Sequence, residues 1–310
     1  MRDPCLVNSS KAWANSKMLK YLFSLFLFFC AVEASRPVVA QQKNTQIRPP
    51  CGAGLVQNKV QKWPATADRS GLIHAANLQA SDLKSGQLSL TFVGHSTFLI
   101  QSPQGVKVIT DYNDYFHAGV LPDIATMNVQ RGNHSTDIVS PAISHVLRGW
   151  TEARTLKRHD VILKDVRVYN LPTNITDFGV GFSNFSSIFI IQSQGLCVAH
   201  MGHLRHILDP QQVSKIGKID VLLVPIDQRF TQSYDELVHN IKGINPKLLI
   251  PMHFDAMGTA EVFLKDIAKI YPIRRTRTPT LMFSRTTLPV KTEVLLMSSQ
   301  RLGGRLGSPL

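Results

Sequence analysis

Short apolar runs separated by turn residues recur along the chain from residue 88 onwards and predict β-strands. Residues 88–93 alternate between apolar and polar positions, as a half-buried strand does. Residues 97–101 and 106–110 flank the tight segment Ser102-Pro-Gln-Gly105 and predict a hairpin. Further strands are predicted at 124–127, 161–163, 166–169, 188–191, 196–199, 221–225, 248–252, 281–283 and 293–297.

Helical signals lie between the predicted strands of the second half. Asp209 followed by Pro210 is typical of a helix start, with a side-chain acceptor at the N-cap and proline in the first turn. Residues 233–242 predict a capped amphipathic helix, and residues 259–270 predict a final one. Because strands dominate the first half and strand–helix alternation the second, the pattern predicts a layered α/β domain.

The N-terminal segment has the pattern of a secretory signal peptide. Lys17 and Lys20 precede an apolar run at 21–32 that is too short for a comfortable membrane span, and small residues follow it. We therefore expect residues 1–40 to be removed on export to the periplasm or the extracellular space, with Met18 as an alternative start. An uncleaved membrane anchor is the alternative interpretation.

The distribution of charge separates the remaining regions. The formal charge of the whole chain is +13, of which residues 1–40 carry +3 and residues 271–310 carry +6, while the long stretch 41–270 carries only +4. Residues 41–84 predict an extended lead-in, residues 85–298 the folded domain, and residues 299–310 a mobile basic tail. The nearly neutral centre argues against a nucleic-acid partner. A membrane contact is expected only if the N-terminal segment stays uncleaved.

The four cysteines bear on whether the protein resides in an oxidising compartment. Removal of residues 1–40 would leave Cys51 and Cys197, which an oxidising compartment would permit to pair. Cys197 lies in an apolar predicted strand, so a buried free thiol is the alternative.

Histidines follow three of the apolar runs. They are His134, the group His200, His203 and His206, and finally His253. In α/β sheets, side chains at the carboxyl ends of neighbouring strands converge on one crevice. Converging imidazoles suit Zn²⁺ or a similar ion. The alternative is that each histidine is satisfied separately by local hydrogen bonds.

The order of these segments resembles the metallo-β-lactamase superfamily, and within it the branch of small metal-dependent hydrolases that includes the ascorbate-phosphate lactonases. The resemblance covers roughly residues 85–290. It implies a four-layer αββα sandwich with the site at one edge, between two β-sheets. The matching stretches are Phe92-Val-Gly-His-Ser-Thr-Phe-Leu-Ile100, Val108-Ile-Thr-Asp111, Pro122-Asp-Ile-Ala-Thr-Met127, His200-Met-Gly-His203, Ile219-Asp-Val-Leu-Leu-Val-Pro225 and Ile250-Pro-Met-His-Phe254.

The HxHxDH motif of that superfamily is largely lost in this chain. The corresponding run is Val129-Gln-Arg-Gly-Asn-His134, in which only His134 keeps its identity. Val129 and Arg131 stand where the resemblance implies imidazoles, and Asn133 stands where it implies an aspartate. The guanidinium of Arg131 would repel metal ions but would suit an anionic group of a substrate, which leaves a metal-free site open.

Two other ligand positions implied by the resemblance are also changed. Asn174 replaces a histidine, and His203 stands where a bridging carboxylate would be, whereas His253 is kept. His134, His203 and His253 together predict a site for one zinc ion in preference to two, with an open position for water.

The predicted catalytic residues are His134, His200, Arg131 and Asn133. His200 or His206 would serve as a fourth ligand, as a hydrogen-bond donor behind the ligands or as a proton shuttle.

Further polar residues are candidates for contacting the substrate or for orienting the ligands. His95 lies at a strand end, where a structural hydrogen bond to the backbone is the favoured interpretation. Asp111 resembles a carboxylate that orients metal ligands. Asn128 and Asn174 can hydrogen-bond a substrate but are poor zinc donors, and Asp227 is either a carboxylate of the site or a turn residue.

Two functions compete. The leading prediction is an exported metal-dependent hydrolase that uses an activated water on an ester, lactone, amide or phosphoester of a small molecule. The alternative is a catalytically inactive protein of the same fold, which binds a small anionic ligand or a partner through Arg131 and the histidines. The replacements at 129, 131, 133 and 174 support this alternative.

Overall fold

The apolar runs pair into β-sheets in the structure, which is a computed structural model of the chain. It describes residues 51, 61–62, 82–130, 132–151, 156–176, 183–254 and 257–300, with the backbone alone described at 61–62, 174–176, 183–185 and 257. The predicted signal peptide, Arg131 and residues 301–310 of the predicted tail lie outside these ranges. All described residues belong to one compact unit.

The described part of the chain contains fifteen strands and three helices. The strands are β1 (Gln61–Lys62), β2 (Gln87–Gly94), β3 (Thr97–Gln101), β4 (Lys107–Ile109), β5 (Ile124–Met127), β6 (His145–Arg148), β7 (Asp160–Leu163), β8 (Val166–Thr176), β9 (Ser183–Ser193), β10 (Leu196–His200), β11 (Val221–Pro225), β12 (Leu248–Met252), β13 (Ile273–Thr276), β14 (Thr280–Ser284) and β15 (Glu293–Met297). The helices are α1 (Pro210–Ile216), α2 (Tyr234–Ile244) and α3 (Met257–Ile267).

Most of the predicted strands are confirmed, and the differences have local causes. β8 and β9 are each eleven residues long because they pair along their whole length, from Val166 opposite Ser193 to Thr176 opposite Ser183. Their polar ends carry no apolar run that would predict a strand. β6 and β13 were missed because most of their residues are only half-buried or exposed, so neither forms an apolar run.

The helices begin as their capping signals predict. Asp209 and Ser233 cap α1 and α2, each in a reciprocal capping box with the third helical residue. α3 begins two residues before and ends three residues before the predicted bounds. Within the described ranges, no helix has the length and apolar character that crossing a membrane requires.

The described strands form two sheets. The larger has the order β1-β7-β8-β9-β10-β11-β12-β15-β13, and the smaller has the order β14-β2-β3-β4-β5-β6. β10, β11 and β12 are parallel neighbours, and so are β4, β5 and β6. In each parallel group the carboxyl ends lie at one edge of the sheet, and the residues that follow them are brought together there.

Apolar side chains fill the space between the two sheets. Leu90 of the smaller sheet and Val198 of the larger belong to the same buried cluster. A second cluster joins the other face of the larger sheet to the helices, for example through Leu222 and Phe263. The outer face of the smaller sheet is covered by the described part of segment 112–143, which contains no helix. The predicted α/β sandwich is therefore confirmed, with helices outside the larger sheet and loops outside the smaller one.

A disulfide joins Cys51 to Cys197, with the two Cα atoms 6.1 Å apart. Both side chains are buried in the cluster between the larger sheet and the helices. Cys197 lies in β10, three residues before His200, and its backbone N–H donates to the carboxylate of Asp220. The disulfide thus ties Cys51 to the strand that leads into the predicted ligands.

Reduction of this disulfide is expected to destabilise the protein. The two cysteines are 146 residues apart, and cross-links over long separations are worth about 2–4 kcal/mol. We expect a reductant to lower the Tm of the wild type by about 5–15 °C in thermal unfolding followed by circular dichroism. Cys51→Ser is the control, since it should unfold at the lower temperature with or without reductant. Equal Tm values for oxidised and reduced wild type would contradict the assignment.

Candidate metal centre

The predicted ligands lie at the carboxyl ends of strands from both sheets. In the larger sheet, His203 lies three residues after β10 and His253 comes directly after β12. In the smaller sheet, His95 begins the turn after β2, Asp111 lies two residues after β4, and His134 lies in the loop after β5. Their side chains meet between the two sheets, where each residue is at most 6% exposed.

Three imidazoles converge through their Nε2 atoms. Nε2 of His134 and Nε2 of His203 each lie 3.1 Å from Nε2 of His253. The centroids of the three rings are 4.7, 4.8 and 5.0 Å apart. Zinc–nitrogen bonds of about 2.0–2.1 Å in a tetrahedral site place two ligand nitrogens about 3.3 Å apart. The two distances from Nε2 of His253 are therefore close to those expected between ligands of a single ion.

Asp111 orients His134 from behind. Its Oδ2 accepts a hydrogen bond from Nδ1 of His134 at 2.7 Å, and its Oδ1 accepts from the backbone and the side chain of Asn128. Burial alone would raise the pKa of Asp111, but electrostatic interactions with the His200 and His134 rings and two side-chain hydrogen bonds lower it to about 2. The ionised carboxylate keeps a proton on Nδ1 of His134. The lone pair of His134 is therefore on Nε2, which faces the other two rings.

Asp227 stands behind His253 at a longer distance than Asp111 behind His134. Its Oδ1 lies 3.3 Å from Nδ1 of His253, and the carboxylate also accepts hydrogen bonds from Thr231 Oγ1 and the Phe230 N–H. Burial alone would raise the pKa of Asp227, but the contacts with His253, Thr231 and the Phe230 N–H lower it. Asp227 therefore closes a turn and contacts a predicted ligand at the same time.

His95 is the fourth imidazole of the cluster. Its ring centroid lies 4.2 Å from that of His253 and 5.2 Å from that of His134. One of its ring nitrogens lies within 4.8 Å of ligand atoms of both. Nε2 of His95 accepts a hydrogen bond from Nδ2 of Asn133 at 2.7 Å, and its backbone oxygen accepts one from the His253 N–H. The structure thus places His95 among the predicted ligands.

Three residues of the cluster have a left-handed backbone. The φ angles are 53° at His95, 44° at Asp111 and 61° at His253. Aspartate and histidine adopt this conformation more readily than most other residues, at a cost on the order of 1 kcal/mol each. Such conformations persist only where surrounding contacts impose them, and they concentrate at functional sites.

His200 lies at the end of β10 but does not reach the three Nε2 atoms as a fourth ligand. Its Nε2 donates to the backbone oxygen of Ser96 at 2.8 Å, and its Nδ1 accepts from the Gly202 N–H at 3.2 Å. Burial lowers the pKa of His200, and Asp111 opposes this only in part. The ring is neutral, and it links the turn after β2 to the segment that carries His203.

Ser96 is a residue of the site that sequence reasoning missed. Its Oγ lies 3.1 Å from Nδ1 of His134, and its backbone oxygen receives the hydrogen bond from His200. Serine is common in turns, so the residue type alone did not indicate a functional role. The one indication in the sequence was that Ser96 directly follows His95.

Two other predicted site residues, Asn128 and His206, form hydrogen bonds around the histidine cluster and not within it. Asn128 is fully buried, and its side-chain amide donates to Asp111. His206 is half-buried in the loop after His203, and its backbone oxygen accepts a hydrogen bond from the side chain of Asn240.

The altered ligand positions, Val129 and Arg131 of the HxHxDH motif and Asn174 outside it, differ in their surroundings. Val129 is 3% exposed and belongs to the apolar core, so it offers no ligand. Asn174 lies in β8 opposite Phe185, with its side chain outside the described atoms. Arg131 lies outside the described residues altogether.

Gly202 lets the segment that carries His203 pass close to two neighbours. Its φ is +60°, and a Cβ at this position would lie 2.8 Å from the Ser187 backbone oxygen and 2.9 Å from Cγ of Asn128. Neither neighbour can retreat easily, because Ser187 belongs to β9 and Asn128 is hydrogen-bonded to Asp111. Only glycine fits this position without displacing the loop.

Gly202→Ala is therefore expected to destabilise the protein by about 2–4 kcal/mol, through the left-handed backbone and the overlap together. Gly243→Ala is the matched control, because a Cβ there meets no atom closer than 3.7 Å inside helix α2. We expect this control to stabilise the helix by about 0.5–1 kcal/mol. Urea unfolding measures both effects. A Gly202→Ala protein as stable as the wild type would refute the close approach.

Comparisons with known proteins show what the chain is similar to. A protein of Archaeoglobus fulgidus described as a UPF0173 metal-dependent hydrolase is 24% identical over 207 residues, which cover 59% of this chain and 90% of the relative. A protein of Carboxydothermus hydrogenoformans with the same description is 25% identical over 193 residues, covering 54% of this chain and 85% of the relative. These are likenesses of sequence at low identity.

A solved structure shares the fold. It is a proposed Zn-dependent hydrolase of the metallo-beta-lactamase superfamily from Thermotoga maritima, with a TM-score of 0.53 and 23% identity, covering 69% of this chain and all of that chain. The family described as Beta-lactamase superfamily domain matches residues 89–253, which is just over half of the chain and includes every strand end that supplies a converging imidazole. The chain belongs to this family, and its fold is that of the metallo-β-lactamase superfamily.

Proposed function

We propose that the protein is an exported metal-dependent hydrolase that acts on an ester, lactone, amide or phosphoester bond of a small molecule. The observation that carries the proposal is that Nε2 of the buried His253 lies 3.1 Å from Nε2 of both His134 and His203, which are also buried. The description of two relatives as metal-dependent hydrolases supports the same reaction class.

The donor set fits a divalent cation. The carboxylate of Asp111 is hydrogen-bonded to Nδ1 of His134, and that of Asp227 lies 3.3 Å from Nδ1 of His253. Both carboxylates favour a proton on Nδ1, which directs the Nε2 lone pairs of the two rings at each other. Lone pairs only 3.1 Å apart repel unless a cation or a proton lies between them. The two carboxylates behind the rings balance the charge of one divalent ion. Neutral imidazoles are ligands that zinc favours.

The contacts favour one ion over two. A second ion needs further anionic donors, and a carboxylate often bridges the pair. Asp111 uses its oxygens for His134 and Asn128, and Asp227 uses its oxygens for His253 and its own turn. Neither carboxylate is therefore available as a bridge. When bound, a single ion would supply Lewis acidity and lower the pKa of a coordinated water towards about 7.

The chain's own residues have distinct roles in this proposal. His134, His203 and His253 hold the ion, and Asp111 and Asp227 fix the tautomers of two of these ligands. His200 was predicted to transfer a proton, but both of its ring nitrogens are hydrogen-bonded to backbone groups. Its neutral ring therefore has a structural role and holds these backbone groups in position. Arg131 and Asn174 remain candidates for contact with an anionic part of the substrate.

Export is supported by two observations. The basic and apolar pattern of residues 1–40 is typical of a secretory signal, and the disulfide between Cys51 and Cys197 is of a kind that forms and persists in oxidising compartments. The proposed location is therefore the periplasm or the extracellular space, with no nucleic-acid partner.

A second candidate function is a metal-free protein that binds a small anion. The buried Val129 favours it, because this position of the HxHxDH motif has become part of the apolar core. Metal analysis separates the two functions.

The metal content of the purified protein tests the proposal. Protein prepared without added metal is expected to contain about one zinc or similar ion per chain by mass spectrometry, and His203→Ala and His253→Ala should each lose most of it. His239→Ala is the control, because this exposed histidine of α2 is remote from the site in sequence and should keep the metal. Wild-type protein without metal, with a Tm indifferent to chelators, would favour the anion-binding function instead.

Asp111→Asn tests the orienting carboxylate. The amide cannot hold Nδ1 of His134 in its protonated form with the same strength, so zinc affinity should fall about 10–100-fold while the ligands stay in place. Competition with a chromogenic chelator measures the affinity. Asp114→Asn, an exposed residue three positions along the same loop, should bind zinc like the wild type. Equal affinity in the two variants would remove Asp111 from the account.

A further inference from the structure

His95 is close enough to the three converging imidazoles to become a ligand. One of its ring nitrogens lies within 4.8 Å of ligand atoms of His134 and His253, whereas ligands of one zinc ion are about 3.3 Å apart. A shift of about 1.5 Å would therefore bring this nitrogen to ligand spacing from His134 and His253. Its Cα is already fixed beside the centre, because its backbone oxygen accepts the His253 N–H at 2.7 Å.

Asn133 prevents His95 from binding a metal. Its side-chain amide donates to Nε2 of His95 at 2.7 Å. A neutral imidazole has one nitrogen with a lone pair and one that carries the proton. Because Asn133 occupies the lone pair on Nε2, Nδ1 of His95 carries the proton, and neither nitrogen is available to an ion.

The residue type at position 133 decides this contact. An ionised aspartate, which the superfamily motif has at this position, has only acceptor oxygens and could not donate to the lone pair of His95. The asparagine of this chain supplies the N–H that holds the ring. The side chain of His95 is also stacked against Phe116, with centroids 5.8 Å apart and planes 11° from parallel, which restricts the directions in which it can turn.

We propose that Asn133 is a positioning residue that withholds His95, a fourth imidazole, from a metal ion bound by His134, His203 and His253, and so keeps one coordination position open. The inference rests on the proposed function, since it needs an ion at the three Nε2 atoms. With Asn133 in place the ion has three protein ligands and one open position, as catalytic zinc sites do. Without the amide, His95 turns inward and closes the site with four nitrogens.

Cobalt substitution tests the inference on the full chain without an assay of activity. The absorption of Co²⁺ in the visible range reports its coordination, and azide is a small anion that changes this spectrum by binding at an open position. The four proteins to compare are the wild type, Asn133→Ala, His95→Asn and the double variant. Asparagine replaces His95 because it tolerates the left-handed backbone of that position, with φ of 53°.

The expected results differ in direction between the two single variants. Asn133→Ala should bind Co²⁺ on the order of tenfold more tightly and lose its response to azide. His95→Asn should bind Co²⁺ within about twofold of the wild type and keep the response. The double variant should recover the azide response, because the fourth imidazole is gone. His239→Ala is the control and should behave like the wild type.

Three outcomes overturn the inference, and they can be told apart. If the wild type binds Co²⁺ and responds to azide, but Asn133→Ala does the same with equal affinity, Asn133 does not withhold a ligand and the proposed metal site survives. If the wild type binds no Co²⁺, the proposed function fails together with the inference. Weaker binding by His95→Asn would make His95 a resident ligand and would also overturn the inference.

Discussion

The hydrogen bond from His134 Nδ1 to the carboxylate of Asp111 is the interaction on which the centre depends. Asp111 lies at the end of a strand in the smaller sheet, buried and ionised, and the neighbouring side chain of Asn128 fixes its other oxygen. The bond decides which nitrogen of His134 has the lone pair and where that lone pair points. The ligands from the larger sheet, His203 and His253, then meet it from the other side.

The buried carboxylates of this arrangement require compensating positive charge. Two largely buried carboxylates, Asp111 and Asp227, stand behind the rings, and burying such charges is costly unless cations compensate them. Protons on the imidazoles or one divalent ion can supply the compensation. Because Nε2 of His253 lies within hydrogen-bond distance of Nε2 of both His134 and His203, a single cation bound by the three rings would serve all of them, whereas one proton serves at most two.

The sequence predicted most of the fold because its apolar runs and helix caps act locally. It also predicted that His134, His203 and His253 would converge, since residues that follow parallel strands lie at the same edge of a sheet. It could not predict the partners behind them. The alternative for Asp227 was a turn residue, and the structure gives it a turn and a ligand contact together, because one carboxylate has acceptors enough for both.

The roles of His200 and His95 show that the spacing of histidines in the sequence does not by itself predict which rings join the cluster. His200 belongs to the same histidine-rich run as His203, yet the strand end turns its ring to backbone groups of Ser96 and Gly202. His95 has no neighbouring histidine in the sequence, yet the turn after β2 places it among the ligands. The direction of a side chain at a strand end depends on local φ values and long-range hydrogen bonds, which periodicity does not encode.

Anomalous X-ray diffraction from crystals of the full chain, measured on both sides of the zinc absorption edge, shows whether one zinc ion lies among the three imidazoles. We expect one strong peak about 2.0–2.1 Å from Nε2 of each of His134, His203 and His253. No peak at this position, or two peaks about 3.5–4 Å apart as in a two-metal site, would contradict this expectation.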